Sequence, residues 1–247
     1  RKGRRESLQM YILAIETTGK IGSVALADLE TYKMTMKTTT EDMSHLKNLM
    51  AMTQELFREQ KVTGSDIAAV AASVGPGSFT GIRIGVSSAR AVAQALHKPC
   101  IQVPTLDTFR LKCGNRPVAV IFNARRGQVY GAVFDKDKKD ILKPGPYMLT
   151  DVLDAVDKAG IAPIFYGDGV DAYADKLQGR ECAQEEDRYQ TATMTAAFAM
   201  DKLEAGETCT YEELLPDYMR ETEAEQKLRD GSLARARAAK MAKFRSK

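Results

Sequence analysis

At 247 residues the chain is long enough for one large domain or two smaller lobes. Its composition, 44% hydrophobic and 28% charged, is ordinary for a globular protein. No stretch approaches the roughly 20 apolar residues that span a bilayer, so we expect no membrane role. The cysteines Cys100, Cys113, Cys182 and Cys209 form no CxxC pair, which disfavours a zinc or redox motif and is typical of free thiols in a reducing cytoplasm.

The net charge of +3 is unevenly distributed. Residues 1–9 carry +3 and residues 226–247 carry +7, so residues 10–225 carry −7. An acidic body binds phosphates poorly, so any nucleic-acid contact by this chain alone is expected from its tails. Residues 1–9 have no apolar periodicity and read as a leader or tag-like extension, with Met10 a plausible native start.

The first half of the chain opens with strands. YILAIETT reads as a buried strand, IGSVALADL as its hairpin partner and TYKMTMKTT as a more exposed third strand. The apolar period then changes, which predicts helices over 44–60 and 80–96 and a short helix over 105–111, separated by strands at DIAAVAASVG and 98–103.

The second half starts again with two strands, PVAVIFNA and QVYGAVFD. The elements predicted after them are helices over 150–159, 170–177 and 193–204 and a strand over 163–166. Two halves that each open with a hairpin indicate a duplicated α/β lobe. We therefore predict four parts: the extension 1–9, lobes over 10–112 and 113–225, and a basic tail over 226–247.

A glycine-rich segment, SVGPGSFTGIRIGVSSARAVAQAL, joins a predicted strand to a predicted helix. A helix N-terminus at such a turn suits an anion, but the spacing fits neither G-x-x-x-x-G-K-[ST] nor G-x-G-x-x-G. The alternative is a tight turn followed by a helix whose small residues allow close packing. Both interpretations stay open at this point.

The same segment resembles the signature stretch of the TsaB family. The segments YILAIETT, SVALAD, VPTLDTF, NARRGQVYGAVF and PDYMRETEAE also match that family in order, so the resemblance covers about Met10–Glu225. It implies a two-lobed α/β fold of the actin/Hsp70/sugar-kinase class, each lobe being a mixed sheet with flanking helices.

The resemblance also implies a function. TsaB proteins are non-catalytic, cytoplasmic subunits that pair with the catalytic subunit TsaD and the ATPase TsaE. The complex forms threonylcarbamoyladenosine next to the anticodon, so tRNA would be reached through the complex, and the free chain could self-associate as a homodimer. The alternatives are an ATP-dependent kinase or ATPase of the same fold, a metallopeptidase-like enzyme, or a free-standing tRNA-binding protein that uses the basic tail.

No catalytic, cofactor-binding or metal-binding residue is assigned. The two histidines, His45 and His97, lie on different predicted helices, and neither has the neighbouring ligands that a metal site needs. Glu16, at the end of the first strand, is either a ligand to a nucleotide-bound metal or a turn carboxylate. Asn123 stands where the family usually has Asp.

The resemblance implies that the helices over 44–60 and 80–97 pair with the matching helices of TsaD. Methionines suit adaptable interfaces, and Met52 lies off the main apolar stripe of its helix, which predicts an exposed apolar contact. Small residues on the second helix would let a partner helix approach. The predicted interface residues are His45, Leu49, Met52, Gly81, Gly85, Ser88 and Ala89.

Overall fold

The computed structural model describes residues 9–39 and 45–219, and the side chains of residues 45–47 are not part of that description. The strands are β1 (Tyr11–Glu16), β2 (Ser23–Asp28), β3 (Met34–Thr38), β4 (Ile67–Gly75), β5 (Cys100–Pro104), β6 (Val118–Asn123), β7 (Gln128–Phe134), β8 (Asp140–Met148) and β9 (Ile164–Tyr166). The α-helices are α1 (His45–Gln60), α2 (Phe79–Leu96), α3 (Leu149–Lys158), α4 (Gly169–Ala172), α5 (Glu185–Arg188) and α6 (Ala192–Glu204). Two short 3-10 helices cover Gly64–Asp66 and Leu106–Lys112.

The first sheet has five strands in the order β3-β2-β1-β4-β5. β1 to β3 form an antiparallel meander, and β4 and β5 add to it in parallel. Because successive side chains of a strand point to opposite faces, Ile12 and Ala14 pack towards α6, whereas Ile15 points towards α2. Helices therefore cover both faces of this sheet, which explains why β1 is a nearly unbroken apolar run.

The second sheet repeats this pattern with four strands in the order β8-β7-β6-β9. β6 to β8 form an antiparallel meander, and β9 pairs with β6 in parallel after the crossover through α3. The apolar side of α3, with Leu149, Val152 and Val156, packs on Val129 and Val133 of β7. Two mixed sheets with the same connectivity confirm the predicted α/β class and its duplicated, actin-like architecture.

The 3-10 helix Leu106–Lys112 connects the two sheets. Its Phe109 is fully buried, and its ring centroid lies 5.8 Å from those of both Phe122 and Tyr166 in the second sheet. Edge-on aromatic contacts of this kind add to the free energy gained from burial alone. The connection is thus a packed part of the core.

Helix α6 lies far from the first sheet in sequence but packs on it, with Ala196 and Ala199 against β1 and β4. The described residues up to Asp217 form one compact unit, and of the second unit, which starts at Tyr218, only Tyr218 and Met219 are described. The lobe boundaries at 10–112 and 113–225 stay a prediction. Residues 1–8 of the predicted extension and 220–247, which include the basic tail, lie outside the described residues. Among the described helices, none is both long and apolar enough to cross a membrane.

Four elements differ from the sequence prediction, and two of them, α5 and the 3-10 helix Gly64–Asp66, are short turns with no buried residues. β8 was not predicted, because Pro144 and Pro146 interrupt its alternation. It is an edge strand, and an edge tolerates prolines since its outer N–H groups need no partner strand. The helix predicted over 170–177 is only the four-residue α4, followed by turns.

Candidate functional site

A cleft of about 720 Å³ opens where the turns of the two sheets meet. The first sheet contributes the turn after β1 and the glycine-rich turn between β4 and α2, and the second contributes the turn after β6 and Asp168 after β9. Tyr189 and Gln190, just before α6, close one side. The cleft is large enough to hold a small ligand.

The glycine-rich turn is pressed against the end of β1. Ser78 caps α2 by accepting a hydrogen bond from the Gly81 N–H at 3.2 Å, and its own N–H donates to the Thr18 carbonyl at 2.7 Å. The Thr17 hydroxyl donates to the Gly81 carbonyl at 2.7 Å. A Cβ on Gly81 would lie 1.9 Å from the Thr17 carbonyl oxygen, and one on Gly85 would lie 2.2 Å from Thr17 Oγ1. These glycines therefore serve close packing of α2 on β1, which confirms the packing interpretation of the motif for these two positions.

Glu16 is fully buried behind the same turn. Its Oε1 accepts hydrogen bonds from the Thr18 N–H at 2.5 Å and the Thr18 hydroxyl at 2.6 Å, so the turn carboxylate interpretation is confirmed. Burial raises the pKa of the Glu16 carboxyl, and nearby hydroxyls, including those of Ser73 and Thr195, oppose the rise. Within the described residues no group makes a well-directed hydrogen bond to Oε2.

The turn after β6 is open to solvent. Asn123 Oδ1 accepts from the Arg125 N–H at 2.9 Å and from the Tyr173 hydroxyl at 3.1 Å, and the Asn123 N–H donates to Asp168 Oδ1 at 2.9 Å. Arg125 and Arg126 both have left-handed backbone conformations, with φ of 66° and 54°, and both are exposed. Arg125, in the turn after β6 of the second sheet, therefore lies at the rim of the cleft.

The charges around the cleft are mixed. Lys20 and Arg125 provide positive charge, and Asp168 provides negative charge. In the part of the chain that the structure describes, no three His, Cys, Asp or Glu side chains lie close enough together to hold a metal ion. Such a lining offers hydrogen bonds and opposite charges to a polar ligand.

The predicted interface residues turn out to be mostly internal. His45 is the first residue of α1, and its side chain lies outside the described set. Ser88 is half-buried, whereas Leu49, Met52, Gly81, Gly85 and Ala89 are buried within this chain. The expectation that Met52 is an exposed apolar residue is therefore wrong, and so is the expectation that these glycines and Ala89 are free to meet a partner helix.

The physical reason is the orientation of the two helices. α1 packs on β2 and β3, so Leu49, Met52 and Leu56, spaced three and four residues apart, face the sheet. Met50, one position off this stripe, is the exposed methionine, with 37% of its surface accessible. Whether α1 and α2 form an interface stays a prediction, and it now depends on their outward residues.

The sequence interpretation did not single out Gln190. Its Nε2 donates to the Thr18 hydroxyl at 3.1 Å, and it lies against Gly19, so it closes the cleft over the β1–β2 turn. No motif marks this residue, although it directly precedes Thr191, whose hydroxyl caps α6 by accepting from the Met194 N–H. A polar residue before a cap is too common to identify a site.

Comparison with known proteins gives concordant results. The family model described as "TsaD: tRNA N6-adenosine threonylcarbamoyltransferase" matches residues 39–228. The tRNA threonylcarbamoyladenosine biosynthesis protein TsaB of Bacillus subtilis (strain 168) is 28% identical over 227 residues, covering 88% of this chain and 97% of that protein. The protein of the same name from Escherichia coli (strain K12) is 35% identical over 136 residues, 53% of this chain and 58% of that protein.

A solved structure agrees with the fold. The crystal structure of a Pseudomonas aeruginosa protein described as similar to the peptidase YEAZ superposes with a TM-score of 0.74 at 24% identity, covering 85% of this chain and 100% of that one. The matched family model spans most of the chain, and both relatives carry the TsaB name. The chain therefore belongs to the TsaD family and, within it, to the TsaB (YeaZ) proteins.

Proposed function

We propose that this chain is a non-catalytic subunit in the cytoplasmic formation of tRNA threonylcarbamoyladenosine. It binds a TsaD-like catalytic subunit, a TsaE-like ATPase joins them, and tRNA is reached through the complex. Family membership and the names of the two TsaB relatives support the pathway. In the absence of this partner, the free chain would form a homodimer through the surface that otherwise binds the TsaD-like subunit.

The buried carboxyl of Glu16 is the observation that carries the non-catalytic assignment. A carboxylate that holds a metal must be charged and must face the ligand. Glu16 is sealed in the interior, its pKa is raised by burial, and one of its oxygens already accepts two hydrogen bonds from Thr18. This arrangement supports a structural role for the acid at the end of β1.

The outward sides of α1 and α2 support a partner contact. Here the "helical face" means eight exposed, uncharged residues of these helices: Asn48, Met50, Ala51 and Gln54 on α1, and Ser87, Ala91, Gln94 and Ala95 on α2. Such residues cost little to desolvate compared with Lys or Glu, which are depleted in interface cores. A standard interface of about 1,600 Å² in total would need contributions from both helices.

Binding to the TsaD-like subunit from the same source tests the proposal. We expect the wild-type chain to co-purify with that subunit and to be required for threonylcarbamoyladenosine formation on tRNA. Failure of both would overturn the assignment. ATP hydrolysis by the purified chain alone would favour the alternative, an ATP-dependent enzyme of the same fold.

A matched pair of variants tests the helical face. Met50→Glu places a carboxylate in the proposed contact, where desolvating it costs on the order of several kcal/mol. We expect the affinity for the TsaD-like subunit to fall by about a hundredfold or more. Met148→Glu is the control, since Met148 is similarly exposed, at 42% against 37%, but lies at the end of β8. Equal affinities for the two variants, both folded by circular dichroism, would remove the helical face as the interface.

A further inference from the structure

Two cysteines that are 109 positions apart in the chain lie opposite each other in the fold. Cys100 is the first residue of β5, and Cys209 lies in the extended segment after α6. The Cys100 N–H donates to the Cys209 carbonyl at 2.8 Å, and the Cys209 N–H donates to the Cys100 carbonyl at 2.9 Å. This reciprocal pair is the hydrogen-bonded antiparallel geometry, in which the two side chains project on the same side.

The two thiols differ in their access to solvent. Cys100 is fully buried, whereas Cys209 is half-buried and lines a second cleft of about 570 Å³, together with His97, Lys98 and Glu213. Burial raises the pKa of the Cys100 thiol to about 11, and the neighbouring Cys209 adds to the rise. Burial also raises the pKa of Cys209, while a contact from Gln102 opposes it. A dissolved oxidant therefore meets Cys209 first.

The backbone geometry is compatible with a bond between the sulfurs. Residues paired in this way have Cα atoms about 5.5 Å apart, inside the range of about 4.4–6.8 Å found in disulfides. Their Cβ atoms lie about 4.5–5.5 Å apart, slightly more than the 3.5–4.5 Å of a relaxed disulfide. Closing the bond needs a small contraction, and strained disulfides are more readily reduced.

We propose that Cys100 and Cys209 form a reversible disulfide when the chain meets a peroxide. The Cys209 thiolate attacks one peroxide oxygen and breaks the O–O bond, giving a sulfenic acid at Cys209 and a hydroxide that takes up the thiol proton to become water. The Cys100 sulfur then attacks the Cys209 sulfur, the S–S bond forms, the S–O bond breaks, and a second water leaves with the Cys100 proton. Two thiols and one hydrogen peroxide thus give one disulfide and two waters, and the two electrons lost by sulfur reduce the peroxide.

The bond would fasten the segment after α6 to the edge of β5. That segment is already held there by the paired backbone groups and by Gln102, whose Nε2 donates to the Glu213 carbonyl at 2.6 Å. Oxidation therefore converts a non-covalent attachment into a covalent one without rearranging the fold. We expect slower amide exchange in residues 208–213 after oxidation.

Peptide mapping of the full chain after hydrogen peroxide treatment tests the proposal. Free thiols are alkylated under denaturing conditions before proteolysis. We expect a linked peptide pair containing Cys100 and Cys209, removed by reduced glutathione, while Cys113 and Cys182 remain alkylated as internal controls. Complete alkylation of Cys100 and Cys209 after peroxide, or a bond joining Cys209 to another cysteine, would overturn the proposal.

Two serine variants separate the roles of the sulfurs. In Cys100→Ser, Cys209 has no resolving thiol, so its sulfenic acid should accumulate and be trapped by dimedone. In Cys209→Ser, Cys100 should stay reduced, and dimedone labelling should be at least tenfold lower. Equal dimedone labelling of the two variants would overturn the order of attack. Amide exchange in residues 208–213 can also be compared between the oxidised and the reduced wild-type chain. This measurement does not depend on the folding of either variant.

Discussion

The ends of β1 and β6 occupy the same position in the two sheets but have different chemistry. Each is a six-residue strand at the centre of its sheet, and each leads into an antiparallel partner. β1 ends in Glu16, which is fully buried and bonded to its own turn. β6 ends in Asn123, which is exposed at the cleft and organises an open turn.

Packing around the turns accounts for the difference. The N-terminus of α2 and the side chain of Gln190 lie directly against the turn after β1, through Thr17 and Thr18. The turn after β6 is held mainly by hydrogen bonds from exposed groups, such as that between Tyr173 and Asn123. A repeated topology therefore does not repeat the site chemistry, because burial decides whether the side chain at the strand end can meet a ligand.

The largest expected effect concerns the packed turn. Gly81→Ala would place a methyl group 1.9 Å from the Thr17 carbonyl oxygen, so the helix and the turn must separate. We expect a loss of about 3 kcal/mol in the free energy of unfolding, measured by urea denaturation. Gly114→Ala is the control, since nothing lies within 4 Å of its Cβ position, and it should change stability by less than about 0.5 kcal/mol. Equal stabilities of the two variants would show that the turn is not packed as described.

The variant Glu16→Gln tests whether burial at the end of β1 raises the pKa of the Glu16 carboxyl. Because the folded-state pKa of Glu16 is raised, its protonated form stabilises the wild type below the unfolded value of 4.5, and that stability is lost as pH rises through the folded pKa. The glutamine variant is neutral at every pH, so it does not lose this stability. Within that window the wild type should lose about 1.4 kcal/mol per pH unit relative to the variant.

Urea denaturation of both proteins from pH 4 upwards, at steps of about half a unit, measures this difference, and other titrating groups cancel between them. The glutamine oxygen still accepts from Thr18, and its amide can donate to the hydroxyls of Ser73 or Thr195. A difference that stays constant with pH would mean that Glu16 is already charged in the folded chain.

The smallest effect is expected at the open turn. Asn123→Ala removes the acceptor for the Arg125 N–H and the Tyr173 hydroxyl, and we expect a loss of about 1 kcal/mol. Asn123→Asp keeps an acceptor oxygen at the same place and should stay within about 0.5 kcal/mol of the wild type. A thermal unfolding series compares the three proteins. A loss at Asn123→Ala as large as that at Gly81→Ala would remove the distinction between the two turns.

The sequence predicted best where periodicity and burial agree. β1 and α2 were correctly placed to within two residues, because both are long apolar patterns with polar ends. Glu16 had two open interpretations, and only its burial decides between them. β8 was missed because its prolines are acceptable at an edge, and sheet position is not visible in the local pattern.

The faces of the helices show a second limit of prediction from the sequence. Met50 and Met52 lie two positions apart on α1, roughly 200° around the helix axis, so they border the apolar stripe on opposite sides. The angle at which the stripe is centred therefore decides which methionine is buried. Gln190 and the Cys100–Cys209 pair depend on how α6 and the segment after it return to the first sheet. Contacts between distant parts of the chain of this kind leave no mark in local composition.

The prolines of β8 have a consequence for how this chain meets other proteins. A free sheet edge is a template onto which a strand from another molecule can add, and such addition is a common route to aggregation. Pro144 and Pro146 remove two N–H donors from the outer strand of the second sheet, and the Cys182 segment pairs with β9 on its other side. In the first sheet, the Cys209 segment occupies the outer side of β5. At these three edges, polymerisation by strand addition is disfavoured, so association through them must rely on side chains.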